Sequence, residues 1–329
     1  MFKIIPALFL LISSTFLYAE SNVSTEQEIQ IFDDTHGVIS EYVYDISNSV
    51  DNLLSGEFFK EKNEARKNVN YKDEDSLDAF FQTDKFKSET SQTYLRMRIE
   101  SNNQSKTSDK NKIKLRAHLP LSKTKHVLKL FLKSKKDNNT TKNDSNTKNA
   151  KTIEFNSKYS IGASSFKPYL KARYFIAYEL GNNWSFEPAQ TFRYSYNDKF
   201  EETTDFYLDK KLSKVQLLRF QVSRHTKQHH SGMDYNFATQ MFWKLPKKSA
   251  FSVSQNFWGN TKYKYDLNKP TYGGISDYAT SFNFRQNVWK KWFFYEISPG
   301  VNFHRMYNYK PNYNARFFLD IYFGRTYIR

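Results

Sequence analysis

Ile113-Lys114-Leu115-Arg116-Ala117-His118-Leu119 changes character at every residue. Apolar side chains hold the odd positions, and cations or an imidazole hold the even ones. Successive side chains of a strand point to opposite faces, so this run reads as a strand with one apolar and one charged face. The same period surrounds it. Upstream, Leu95, Met97 and Ile99 alternate with Arg96, Arg98 and Glu100. Downstream, Leu170, Ala172, Tyr174, Ile176 and Tyr178 stand opposite Lys171, Arg173 and Glu179. Leu218, Phe220 and Val222 oppose Arg219 and Gln221, and Phe317, Leu319, Ile321 and Phe323 form a last strand. An alternation sustained from residue 91 to residue 324 needs a solvent on each face.

Composition identifies the two solvents. Mean hydropathy is −0.76, the value of a polar chain. Aromatics nevertheless reach 18%, with 30 Phe and 23 Tyr. A transmembrane barrel combines these properties, because its strands average to polar while their outer rows and interface girdles are aromatic. The expected class is therefore all-β: a transmembrane antiparallel up-and-down β-barrel of about twelve strands. Thirteen candidate strands can be written, including Leu128 to Leu132 and 152–162. Bacterial single-chain barrels have even counts, so either one candidate before residue 168 is surplus or a further strand is unrecognised, and twelve is the expected number. Tight turns are expected near 210–214, 245–249 and 289–292. Longer connections are expected near 224–232, 259–275 and 305–313.

The beginning of the chain reads differently. Lys3, the apolar run Ile4 to Ile12 and Ala19 follow the order of a secretory signal over residues 1–19. The run is too short to span a bilayer as a helix. Residues 20–90 are predominantly acidic, whereas 91–329 carry the basic excess behind the net charge of +16. Ile39, Tyr42, Val43, Ile46, Val50, Leu53 and Leu54 recur at three and four, predicting a short helical N-terminal segment over about 37–55 with Gly37 and Gly56 at its ends. The expected divisions are a signal peptide, a periplasmic acidic segment over 20–90, a barrel over 91–324 and an extension over 325–329. The helix is expected either to stay periplasmic or to enter the lumen as a plug.

Two hairpins carry a resemblance. Glu201-Glu202-Thr203-Thr204 leading to Leu208-Asp209-Lys210-Lys211-Leu212, and Trp292-Phe293-Phe294-Tyr295-Glu296-Ile297-Ser298-Pro299-Gly300-Val301, resemble a broad group of uncharacterised proteobacterial outer-membrane β-barrel proteins. Asp78 before Phe80-Phe81 and the closing Phe323-Gly324 are similar to that group too. The resemblance implies the fold and an outer-membrane location, and carries no chemistry. Barrel chains often end on an aromatic residue read by the barrel-assembly machinery; here residues follow Phe323.

The candidate functional residues are the charges on the lumen side: Arg173, Glu179, Glu187, Arg193, Asp205, Asp209, Arg219, Arg285, Glu296 and Asp320. Charges in a narrow lumen must be paired or hydrated. They read either as a structural ion-pair network or as the wall of a narrow channel whose basic excess favours anions. His225, His229 and His230 crowd one loop, but no acid or thiolate stands at metal-ligand spacing. His229 and Ser231 share the His-x-Ser spacing of outer-membrane phospholipases, without that family's flanking motif or a third member. A lipid hydrolase is the enzymatic alternative, and a scaffold that binds a periplasmic partner through the helix is another. No cysteine and no phosphate-binding loop are present, so no cofactor is expected. Export argues against nucleic acid, and the basic excess suits membrane lipids, including lipopolysaccharide phosphates.

Overall fold

The computed structural model describes residues 25–55, 76–81, 83–122, 156–263, 272–288 and 290–324. Three helices come first: α1 (Thr25–Ser55), α2 (Leu77–Phe81) and α3 (Asp84–Glu89). The strands follow in an unbroken meander: β1 (Tyr94–Gln104), β2 (Lys110–Pro120), β3 (Asn156–Ser164), β4 (Lys167–Phe175), β5 (Tyr178–Gly181), β6 (Trp184–Ser195), β7 (Lys199–Ser213), β8 (Gln216–Lys227), β9 (Asp234–Leu245), β10 (Ser249–Tyr263), β11 (Tyr272–Asn287), β12 (Phe293–His304) and β13 (Pro311–Gly324).

Every neighbour pairs antiparallel, and β1 pairs with β13 from Tyr94↔Gly324 to Gln104↔Asn314. That pairing closes the sheet into a cylinder. β4 and β5 count as one stave, because both pair with β6. The break at Ile176 and Ala177 has a local cause. Ile176 gives its N–H to the Pro188 carbonyl at 3.2 Å, but Pro188 has no N–H to return. The barrel therefore has twelve staves. β2 pairs directly with β3, so the ring is complete without the candidate strand at Leu128 to Leu132, which lies outside the described residues.

Cylinder geometry makes the alternation useful. Ile113, Leu170, Tyr194, Phe206, Phe220, Phe237, Phe282, Ile297 and Phe317 are large apolar residues left exposed on the outer surface. Adjacent rows stack there, as Phe186 does on Phe206 with ring centroids 6.2 Å apart. Such a belt in water would be an aggregation surface, whereas in a bilayer it is the solvated face. Among the described residues no helix is long and apolar enough to cross a membrane.

Both ends of the strand run lie at one rim, the terminal rim. Its turns after β5, β7, β9 and β11 are short. At Asn182 and Asn183 both central residues are left-handed, with φ of 50° and 64°, the geometry of a two-residue hairpin. The far rim carries the longer β8–β9, β10–β11 and β12–β13 connections, and also the tight β3–β4 turn. The long β2–β3 connection belongs to the terminal rim and lies mostly outside the described residues.

α1 is longer than its apolar spacing predicts, running from Thr25 rather than from about residue 37. Gly37 lies inside it and ends nothing; Gly56 lies outside the described residues. α1 rests against the outer wall, where Ile39 packs with Ile321 and Phe323, and with Val43, Leu95 and Met97. It does not enter the lumen. A different segment does.

Candidate functional site

Residues 76–81 and 83–90 form a compact double turn. Ser76 Oγ accepts from the Ala79 N–H at 3.1 Å. Thr83 caps α3 by accepting from the Phe86 N–H, and its hydroxyl donates to Asp78 Oδ1 at 2.7 Å. Capping matters here, because helices of five and six residues do not stand alone in water. The segment has an apolar and a charged side. Phe80 meets Phe294 edge-on at 5.9 Å within a cluster containing Tyr94, Ala250 and Tyr322. Phe81 meets Phe242 at 5.4 Å. On the other side, Asp78, Lys85 and Glu89 reach β8, β6, β7 and β4. Only a segment inside the cylinder can touch staves around so much of the ring, so residues 77–89 plug the lumen. They do so near the terminal rim, where Arg219, Phe294, Asp320 and Tyr322 sit within a few residues of their strand ends.

The Asp78 end of the plug is held by charge, and its other end reaches the wall through Lys85 and Glu89. Arg219 is 1% exposed. It donates to both oxygens of Asp78, at 2.5 and 2.8 Å, and to both oxygens of Asp209, at 2.7 and 2.7 Å. Its guanidinium lies over the rings of Tyr207 and Phe242. Arg173 donates to Glu89 at 2.7 Å and reaches Glu187 and Asp205, each at 3.4 Å. Lys85 pairs with Glu187 at 2.9 Å. A second cluster crosses the closing seam: Asp320 accepts from Arg98 at 2.6 and 2.7 Å and from Arg285 at 2.7 Å, and Arg285 also donates to Glu296 at 2.9 Å. Arg193 pairs with Glu201 toward the far rim.

The expected lumen charges are thus all brought into ion pairs except Glu179. That residue stands exposed at the terminal rim beyond the break in its stave, and among the described residues it makes no ion pair. The sequence reading missed the partners that complete the clusters: Asp78, Lys85, Glu89 and Arg98. Asp78, Phe80 and Phe81 were legible only as an approach to the barrel. The spacing of Leu77, Phe80 and Phe81 after a serine is the helix signal, but such spacing does not say where a helix docks.

The first cluster is unbalanced, with Asp78, Glu89, Glu187, Asp205 and Asp209 facing Arg173, Arg219 and Lys85. Burial alone would raise the Asp78 carboxyl, but Arg219 outweighs it and holds Asp78 at about 2. Burial pushes Glu89 up to about 8, against the pull of Arg173 and with help from Glu187. The sign follows from linkage. Asp78 holds the plug above its ordinary 3.8 and loses that hold as pH falls toward about 2. Glu89 opposes docking once ionised, so docking weakens as pH rises from its ordinary 4.5 and levels off above about 8. Planar-bilayer recordings at roughly pH 5 and roughly pH 8.5 are expected to show larger openings at the higher value, with Glu89→Gln flattening the difference. A slope unchanged in Glu89→Gln would remove Glu89 from this role.

Two kinds of lumen surface lie beside the plug. A cavity of about 230 Å³ separates it from the β8–β11 wall and is lined there by neutral polar groups, including Gln221, Gln240, Ser252, Ser254 and Asn283. Across the lumen, β1 to β6 present bases. Arg96 stands directly opposite Arg116, and Lys171 directly opposite Arg193. Tyr169 lies within electrostatic reach of Arg96, Arg116 and Arg193. Its ring is stacked 4.5 Å from the Arg193 guanidinium and lies across Gly162, where a Cβ would meet the ring at 2.4 Å. Arg193 has Glu201, and among the described residues Lys171 donates to the Lys87 carbonyl and the Ser88 hydroxyl. Among the described residues, Arg96, Arg116 and Lys171 have no carboxylate within 4 Å.

The other candidates are dispersed. His225 faces the lumen from β8, with Thr203 Oγ1 2.8 Å from its Nδ1. His229, His230 and Ser231 are exposed in the β8–β9 connection, where neither His229 nor Ser231 meets an acidic side chain among the described residues. No group of three or more potential metal ligands occurs among the described residues.

No family model and no curated protein sequence matches the chain. Among solved structures, it is similar to the NanC porin, with 7% identity, a TM-score of 0.41 and coverage of 68% of this chain and 98% of that one. It is similar to the KdgM porin at 8% identity and a TM-score of 0.38, covering 69% and 98%. Outer-membrane OmpT of Vibrio cholerae shows 6% identity and a TM-score of 0.35, covering 70% and 96%.

Proposed function

We propose that the protein is a non-enzymatic outer-membrane channel for small anions, closed at its terminal rim by its own residues 77–89. The observation that carries this reading is the pairing of Arg96 with Arg116 and of Lys171 with Arg193 across neighbouring strands. Like charges directly opposite on a sheet destabilise it. Arg98, Arg173, Arg219 and Arg285 each meet a carboxylate, and so does Arg193, whereas among the described residues Arg96, Arg116 and Lys171 meet none within 4 Å; a purely structural network would be expected to match these three as well. A mobile anion passing along the wall is the counter-charge that suits them. The hydroxyl and amide groups of the wall opposite offer hydrogen bonds. The terminal rim would face the periplasm and the far rim the cell exterior.

The test uses the full chain and a variant lacking residues 77–89, each in planar bilayers under a potassium chloride gradient. The reversal potential is expected to favour chloride in both, with larger current in the deletion. Arg116→Glu with Lys171→Glu is expected to turn the preference toward potassium. Cation preference in the unsubstituted wall, or a silent deletion variant that is correctly folded, would count against the channel.

A further inference from the structure

α1 divides its surface three ways. One row meets the barrel: His36, Ile39, Val43 and Ser47. His36 stacks on Trp292 with centroids 4.1 Å apart, and its Nε2 lies 2.7 Å from the Tyr322 carbonyl oxygen. Ser47 and Thr93 share a hydroxyl hydrogen bond at 2.9 Å, and Lys290 pairs with Asp33 at 2.5 Å. These contacts lay the helix along the terminal rim, across β13 and β1 toward β2. Val38, Tyr42 and Ile46 follow one another at four-residue steps, each one residue ahead of the wall row and so about 100° around the helix. They are 53%, 62% and 44% exposed, and Leu53 on the same flank is 79% exposed. Glu41 and Asp45 lie a further 100° or so around, with Asp34 and Asn52 near them, all exposed.

We propose that α1 is a membrane-surface helix whose Val38–Tyr42–Ile46–Leu53 flank lies among the acyl chains of the leaflet at the terminal rim. The wall it covers decides the occupant. Leu95, Met97, Ile321 and Phe323 belong to the outward rows that meet lipid around the rest of the cylinder. A helix seated on those rows stands inside the lipid annulus, so its uncovered apolar flank is continuous with the barrel's own lipid-facing belt. Trp292, the aromatic beneath His36, marks interfacial depth. The acidic flank turned away from both surfaces keeps its charges in water, the arrangement of an interfacial amphipathic helix. The proposal is independent of whether the lumen conducts.

The chain has no cysteine, so single-cysteine variants of the full protein report one position each. Tyr42→Cys, Ile46→Cys and Leu53→Cys are compared with Glu41→Cys and Asp45→Cys. Each carries an environment-sensitive fluorophore in phosphatidylethanolamine–phosphatidylglycerol vesicles containing brominated acyl chains. Quenching by the brominated lipid is expected to be several-fold stronger at 42, 46 and 53, and quenching by aqueous iodide stronger at 41 and 45. Equal lipid quenching on both flanks would overturn the proposal. So would protection of 42, 46 and 53 from both quenchers, which would mark a protein partner or a second copy on that flank.

Discussion

Arg219→Ala is expected to release the plug and turn a largely closed barrel into a persistently open one. Arg219 ties the lumenal segment to the wall through two two-pronged ion pairs, with Asp78 on one side and Asp209 on the other. Without it, two carboxylates face each other in a space from which most water is excluded, and Lys85, 3.5 Å from Asp209, is left to serve both. Removing one member of a buried ion pair costs about 3–5 kcal/mol. Each 1.4 kcal/mol or so is tenfold in population, so the docked state falls by roughly a hundredfold or more. α2 and α3 are too short to hold their shape against that loss. Single-channel recording should show openings in Arg219→Ala approaching those of the variant lacking residues 77–89. Arg219→Lys should fall between, because an ammonium cannot offer two parallel pairs of donors. If Arg219→Ala inserts normally and its current matches the unsubstituted protein, the charge clamp does not hold the plug.

The second large effect belongs to Asp320. Its carboxylate gathers Arg98 from β1 and Arg285 from β11 while standing on β13, and both Asp320 and Arg285 are essentially inaccessible. Asp320→Ala would leave two guanidiniums to share Glu296, which lies 2.9 Å from Arg285 and 3.8 Å from Arg98. The expected loss is again about 3–5 kcal/mol, a large part of an ordinary folding free energy of about 5–15 kcal/mol. The denaturant midpoint in detergent micelles should drop sharply, and the folded band on an unheated gel should be lost at a lower temperature. Asp320→Asn, which keeps the shape and one acceptor, should lose less. An Asp320→Ala midpoint equal to that of the unsubstituted chain would show the seam cluster to be energetically neutral.

Strand parity made the wall legible in the sequence. Once Leu170, Ala172 and Tyr174 are assigned outward, Arg173 must point inward, and the same step places Arg219, Arg285 and Asp320. Parity carries no information about depth. Glu179 has the inward phase but sits past the break opposite Pro188, at the rim, where among the described residues it makes no ion pair. Segments without a strand period were harder. Leu77, Phe80 and Phe81 give only one turn of helical spacing, and the destination of that segment depends on charges scattered over β4 to β8. The amphipathic helix was read as one apolar stripe. The structure splits that stripe, with Ile39 and Val43 on protein and Tyr42 and Ile46 turned away from it. Hydrophobicity alone does not distinguish two apolar neighbours. The candidate strand at Leu128 to Leu132 lies outside the described residues, and β2 and β3 pair without it, since alternation alone does not secure a place in the ring.

The join between β1 and β13 is covered on both sides. Ile321 and Phe323 lie beneath α1, while Tyr94 and Tyr322 lie against Phe80 of the plug. First and last strands meet across the greatest sequence separation in the barrel, which makes theirs the contact with the steepest entropic cost of closure. Here it is also the stretch of wall that is doubled inside and out. Parting the two strands would require stripping a helix from one face and an aromatic cluster from the other at once. Sideways escape from the interior into the bilayer is thereby barred along this line.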